Sequence, residues 1–169
     1  MIKIIDGDLL TSGADIICHQ VNCQGKMNSG VAKQIREKWP KVFQEYRKLV
    51  NDITQLRGSK DLLGECQLVC LETGEFKYVA NLFGQEFYGY DSNQYTDIEA
   101  LKKSLLNLRK CVDEVSKYKE QFFPNSNIRI AMPWKIGCVR GGANWTDVYS
   151  MIHFIFEDYN IELWRLDKG

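Results

Sequence analysis

A strand with apolar side chains on both of its faces predicts burial within a sheet, and this chain carries one early. In Asp15 to Val21 a period of two puts Ile17, His19 and Val21 on one side and Ile16, Cys18 and Gln20 on the other. The character then changes at once. His19-Gln20-Val21-Asn22-Cys23-Gln24-Gly25-Lys26-Met27-Asn28-Ser29-Gly30-Val31-Ala32 runs out of the strand through glycine, asparagine and serine into a helical pattern, where Val31, Ile35 and Trp39 make one apolar stripe. A helix start facing such a loop offers unpaired N–H groups and a partial positive charge, a natural seat for phosphate or pyrophosphate. Most strand-loop-helix junctions in α/β proteins bind nothing, so this one needs support from elsewhere in the chain.

A second junction supplies it. Asn127 to Pro133 reads as a short strand ended by proline, and Trp134-Lys135-Ile136-Gly137-Cys138-Val139-Arg140-Gly141-Gly142-Ala143 follows as another glycine-rich loop. Asn144 then caps a helix with Val148, Met151, Ile152, Ile155 and Phe156 on its buried face. The loops Asn22 to Gly30 and Lys135 to Gly142 both leave the carboxyl end of a strand. Open α/β sheets bind ligands in the crevice beyond those ends, so the pair could close on one diphosphate from two sides.

The remaining elements complete the pattern. Ile2 to Ile5 is an opening strand closed by Asp6-Gly7-Asp8, where Asp8 reads as the cap of a turn with Leu9-Leu10-Thr11. Pro40 breaks the first helix, Lys41 to Val50 resumes helical spacing, and Asn51 to Asp61 reads as a polar loop. Gly64 to Leu71 and Glu75 to Phe83 flank Glu72-Thr73-Gly74 as a hairpin. The loop from Gly84 to Tyr95 is dense in rings and amides and is either a lid over a ligand or packing on the sheet edge. Thr96 with Glu99 predicts a capping box for the longest helix, whose stripe is Ile98, Leu101, Leu105, Leu108, Val112 and Val115. A strand from Ile161 to Leu166 closes the chain. The order β-β-α-α-β-β-α-β-α-β predicts an α/β fold, a three-layer α/β/α sandwich around a mixed, mostly parallel six-stranded sheet, with residues 1–169 as a single domain.

Lys+Arg and Asp+Glu are equal at 22 each, so no net field attracts nucleic acid or an anionic membrane, and an anionic ligand must be caught locally. No basic leader or long apolar run occurs, which predicts a soluble cytoplasmic protein; a monomer is the default expectation. The six cysteines are scattered and read as reduced thiols. They contain no Cys-x-x-Cys pair, and Cys18 and His19 point to opposite faces, so neither a metal nor a cofactor is expected. By periodicity alone His19 is either a core histidine satisfied by a neighbour or a titrating group at a pocket mouth.

Several separated motifs, in order along nearly the whole chain, resemble the macro domain family. They are Gly7-Asp8-Leu9-Leu10, His19 to Gly25 with Asn28-Ser29-Gly30-Val31-Ala32, Met132-Pro133, Ile136-Gly137-Cys138, and Gly141-Gly142-Ala143-Asn144-Trp145. The Asn22-Cys23-x-Gly25 form resembles the branch that includes the yeast ADP-ribose 1″-phosphate phosphatase and the ADP-ribosyl-glutamate hydrolases. The resemblance implies a small-molecule ADP-ribose derivative as ligand, with Asp8 accepting from the adenine amino group and Leu9 supporting the ring. It implies Val21 and Asn28 among the substrate-binding residues, Asn22 on the distal ribose, and the diphosphate held by the amides of Ser29, Gly30, Val31 and Ala32 on one side. The amides of Gly137, Cys138, Val139, Arg140, Gly141 and Gly142 would hold it on the other, with Ile136 also among the substrate-binding residues. His19 and Asn22 are the implied catalytic residues. In the glutamate-linked hydrolases a lysine and an aspartate act where this chain has Gln85, or a near neighbour, and Gly141, which argues against that route. Phosphatase-like members carry a histidine at the place of His19, either as acid to the leaving oxygen or as a group orienting water. The activity implied is hydrolysis of ADP-ribose 1″-phosphate, with a non-catalytic reader or an ADP-ribosyl hydrolase acting on a macromolecule as the alternatives.

Overall fold

A computed structural model describes residues 1–72 and 77–166. Six strands, β1 (Ile2–Asp6), β2 (Ile16–Val21), β3 (Cys66–Glu72), β4 (Lys77–Phe83), β5 (Ile130–Pro133) and β6 (Ile161–Arg165), form one sheet in the order β1-β6-β5-β2-β4-β3. All neighbours are parallel except β3 against β4. The four helices are α1 (Gly30–Lys38), α2 (Pro40–Leu56), α3 (Ile98–Phe122) and α4 (Trp145–Ile155). β2 alternates as its pattern requires: Ile16 and Cys18 enter the core with residues of α3 and α4, whereas Ile17 and Val21 enter the core with residues of α1 and α2. Apolar residues on both faces force a helix layer on each, which gives the three layers.

Several boundaries differ from the sequence pattern for identifiable reasons. The first helix ends before Pro40, as expected, but Pro40 itself opens α2, one residue before Lys41, at the first helical position, where its missing N–H would have had no partner. α2 also runs past Val50 to Leu56, converting the first half of the expected loop into helix because Ile53 still packs on the core. Asp97, not Thr96, caps α3, its carboxylate accepting from the Ala100 N–H at 3.0 Å. Thr96 is used elsewhere, as described below. β5 begins at Ile130, three residues later than expected. Asn144 caps α4 through the Asp147 N–H. β3 and β4 pair antiparallel as a hairpin requires, while residues 73–76 of the expected turn lie outside the described residues. No helix among the described residues is long and apolar enough to cross a membrane.

The topology also decides where a ligand can sit. β5, β2 and β4 are adjacent and parallel, so the chain leaves all three at the same edge of the sheet. The loops after β2, β4 and β5 therefore stand side by side.

Candidate functional site

These three loops surround a cleft of about 290 Å³. The loop after β2 owes its shape to Asn22, whose Oδ1 accepts from the Gln24 N–H at 2.9 Å and from the Tyr46 hydroxyl at 2.8 Å. Asn22 Nδ2 donates to the Lys26 carbonyl at 3.0 Å, and the single Tyr46 hydroxyl hydrogen is shared between Oδ1 and the Asn22 carbonyl, which lies 2.7 Å from Oη. The second Nδ2 hydrogen has no partner among the described residues and is free for a ligand hydroxyl. Beyond this turn, Ser29 stands at the N-cap of α1 in extended conformation but makes no side-chain cap bond. The first-turn N–H groups are therefore not consumed by a cap, and Ser29, Gly30, Val31 and Ala32 line the cleft.

The loop after β5 forms the facing wall through Ile136, Gly137, Cys138, Val139, Arg140 and Gly141. Its position is set by Thr96, which donates from Oγ1 to the Gly137 carbonyl at 2.7 Å and accepts from Gln20 Nε2 at 2.7 Å. The Tyr95 and Thr96 N–H groups both donate to the Gly141 carbonyl, at 2.8 and 2.9 Å. A Cβ on Gly141 would overlap Thr96 Oγ1 and the Gly137 carbonyl, so only glycine lets the loop close this tightly. Gln85 accepts from Gln20 Nε2 at 2.7 Å and donates to the Phe87 carbonyl at 2.7 Å, which holds the third loop to the same cluster. That loop lines the cleft through Tyr88, Gly89 and Tyr90, and the Arg140 guanidinium sits 4.7 Å from the Tyr90 ring centre.

His19 lies on the cleft wall, yet only 1% of it is exposed. Its Nε2 is 2.6 Å from Asn81 Oδ1, and its Nδ1 is buried with no partner among the described residues. Burial pushes the imidazole down to about 4, with the Asn81 bond opposing the shift, so the ring is neutral at pH 7.

The cleft gathers most of the residues singled out from sequence: His19, Val21, Asn22, Asn28, the Ser29 to Ala32 turn and the Ile136 to Gly141 loop. Asp8, Leu9 and Gly142 are not on its wall. Asp8 Oδ1 is engaged as the cap of the turn over Leu9–Thr11, accepting from the Leu10 N–H at 3.0 Å, and Leu9 is buried in the core beside α2. Lys26 and Lys135 line the cleft without having been singled out. With Arg140 they place three cations on a wall that carries no carboxylate, in a chain whose charges balance overall. The signal was present as basic residues inside both glycine-rich loops. Among the described residues no group of three or more His, Cys, Asp or Glu could hold a metal ion, and Cys18, Cys23, Cys66, Cys111 and Cys138 are in no disulfide.

A mostly parallel α/β sheet thus brings helix-start amides and three cations together beyond its carboxyl edge, the place where open α/β folds bind ligands. The family follows from comparison: the chain belongs to the Macro domain family, whose profile matches residues 18–152. It is similar to an ADP-ribose 1″-phosphate phosphatase of Candida albicans, 27% identical over 161 residues that span 90% of this chain and 92% of that protein. It is also similar to a DNA ADP-ribosyl glycohydrolase of Mycobacterium tuberculosis, 23% identical over 160 residues, or 93% of this chain and 39% of that longer protein. Among solved structures, the macrodomain of Mycobacterium tuberculosis DarG superposes with a TM-score of 0.74 at 21% identity, covering 99% of both chains. Thermosipho africanus DarTG, solved in complex with ADP-ribose, superposes with a TM-score of 0.68 at 16% identity, covering 99% of this chain and 42% of that one.

Proposed function

We propose that residues 1–169 act as one macro domain that binds an ADP-ribose derivative in this cleft and hydrolyses ADP-ribose 1″-phosphate to ADP-ribose and phosphate. The observation that carries the reading is the cleft itself, where an uncapped helix start, a facing amide loop and three cations meet a buried neutral histidine. The pyrophosphate lies between the α1 N-terminus and the Ile136 to Gly141 amides, and the free Asn22 amide hydrogen meets the distal ribose. Lys26, Lys135 and Arg140 balance the additional charge of a terminal phosphate, which plain ADP-ribose lacks. Uncatalysed phosphate-monoester hydrolysis is among the slowest of biological reactions, so positioning and charge stabilisation must supply most of the rate. His19 stands where phosphatase-like members carry histidine. Gln85 is committed to Gln20 and Phe87, and Gly141 has no side chain, so neither supplies the nucleophile and acid of the glutamate-linked hydrolases.

Binding without turnover is the second reading, favoured by the near-complete burial of His19. The test is to incubate the purified protein side by side with ADP-ribose, its 1″-phosphate, an ADP-ribosylated peptide and ADP-ribosylated DNA. Phosphate release from the 1″-phosphate, abolished by His19→Ala, is expected. Tight ADP-ribose binding with no product supports the reader, and release of ADP-ribose from peptide or DNA alone supports a glycohydrolase.

A further inference from the structure

We propose that Asn81 is a positioning residue that locks His19 as the Nε2–H tautomer, leaving Nδ1 a bare acceptor, so that His19 is a base toward an attacking water and not an acid toward the leaving oxygen. The tautomer follows from the geometry alone; the role toward water rests on the phosphatase reading above.

His19, Asn81 and Gln67 are in register across β2, β4 and β3, with His19 opposite Asn81 and Asn81 opposite Gln67. Gln67 Nε2 is 3.1 Å from the main-chain carbonyl of Glu45 in α2, and a carbonyl can only accept. That contact fixes the end of the Gln67 amide that points to α2, and therefore turns Oε1 toward Asn81. Asn81 Nδ2 is the group that meets Oε1, at 3.0 Å, which turns Asn81 Oδ1 toward His19. An oxygen at 2.6 Å from Nε2 requires the hydrogen to be on Nε2. One backbone carbonyl thus sets the orientation of two amides and one imidazole.

The row is not one the fold requires. Asn81 is fully buried and His19 nearly so, at positions where β2 and β4 otherwise carry apolar side chains. Apolar residues of similar shape would fill these places without needing partners. A row of satisfied amides that ends in one unsatisfied nitrogen, on a residue that lines the cleft, points instead to a use for that nitrogen. The Asn81 bond is the one contact that favours the imidazolium, and burial outweighs it. In the core on the His19 face, Tyr46 and Cys23 are held neutral by burial, Cys23 pushed up to about 12, and the ionised groups on the cleft wall are Lys26, Lys135 and Arg140, all positive. A neutral imidazole with its hydrogen committed to Asn81 can accept a proton but has none to give.

In the reaction, a water entering from the cleft passes a proton to Nδ1 as its oxygen forms the new bond to phosphorus. The bond between phosphorus and the C1″ oxygen breaks with its electron pair on that oxygen, which takes up a proton. The imidazolium returns its proton to solvent, from which the leaving oxygen draws its own. The products are the sugar hydroxyl and inorganic phosphate.

The test is nitrogen NMR of the two imidazoles in uniformly labelled protein at pH 7, with exposed His153 as internal comparison. His19 is expected neutral, with hydrogen on Nε2 and a bare Nδ1. Asn81→Leu removes the acceptor and is expected to bring in the Nδ1–H form, and kcat for phosphate release falls by about 10²-fold or more, the range a positioned base contributes, at unchanged KM. Gln67→Leu, at a less buried site, is expected to mix the tautomers by freeing the Asn81 amide, and it serves if Asn81→Leu does not fold. An Nδ1–H or imidazolium form in wild type, or an unchanged tautomer and kcat in these variants, overturns the assignment. If the tautomer is as stated but wild type releases no phosphate, the phosphatase reading fails while the role of Asn81 as tautomer lock stands.

Discussion

Tyr46→Phe isolates the hydroxyl that holds the loop after β2. The Tyr46 ring is fully buried and packs 5.8 Å from the Phe83 ring centre, and phenylalanine keeps that packing. Only the hydroxyl is lost, and with it the one hydrogen shared between the Asn22 carbonyl at 2.7 Å and Asn22 Oδ1 at 2.8 Å. Oδ1 keeps the Gln24 N–H at 2.9 Å, so it remains satisfied. The carbonyl has no other partner among the described residues and becomes an orphaned buried acceptor. One such group is worth about 1–3 kcal/mol. In a chain of this size that is a fall in Tm of about 2–12 °C, at about 2–4 °C per kcal/mol. Because Asn22 shapes the turn ahead of α1, ADP-ribose affinity falls with it, by up to about tenfold for each 1.4 kcal/mol of loop ordering lost. Urea unfolding at unchanged m-value gives the stability change, and titration calorimetry gives the affinity. A variant with wild-type midpoint and affinity would refute the reasoning, because the hydroxyl would then be holding nothing.

Three further outcomes follow from the same contacts. Gly141→Ala places a Cβ against Thr96 Oγ1 and the Gly137 carbonyl, so calorimetry should show ADP-ribose affinity reduced by about tenfold or more. Burial lowers the His19 pKa from 6.5 to about 4, so the unfolded chain binds the proton more readily. Stability from this group is complete above pH 6.5 and is lost as pH falls toward 4, by about 3 kcal/mol, and urea midpoints across that window should be flatter in His19→Gln. Lys119→Met removes two 3.1 Å contacts from the buried carboxylate of Asp15. Asp15 keeps the Arg129 N–H at 2.7 Å and Lys77 at 3.5 Å, so the loss is about 1–2 kcal/mol of stability, with ADP-ribose affinity unchanged because Asp15 precedes β2 and the cleft follows it.

Much of the fold was legible because it depends on local pattern. The two-faced β2, the α3 stripe from Ile98 to Val115 and the Asn144 cap are properties of neighbouring residues, and the structure shows each. The misread boundaries share a cause: local chemistry offered two answers and packing chose. Pro40 can end one helix or open another, and Thr96 and Asp97 can each cap α3; Thr96 was drawn away by the Gly137 carbonyl, 41 residues distant. The cleft was legible in its two glycine-rich loops, whereas the Gly84 to Tyr95 loop could be read as lid or as edge packing, and Tyr88 to Tyr90 line the cleft because β4 lies beside β2. The His19, Asn81 and Gln67 row is the extreme case. Its members are 62 and 14 residues apart, and only the strand register brings them together.

Backbone-amide NMR of the protein titrated with ADP-ribose asks most directly whether both loops hold one pyrophosphate. The account predicts that the amides of Gly30 to Ala32 and of Gly137 to Gly141 shift together along a single saturation curve. Binding that moves only one of these segments, or neither, would contradict it.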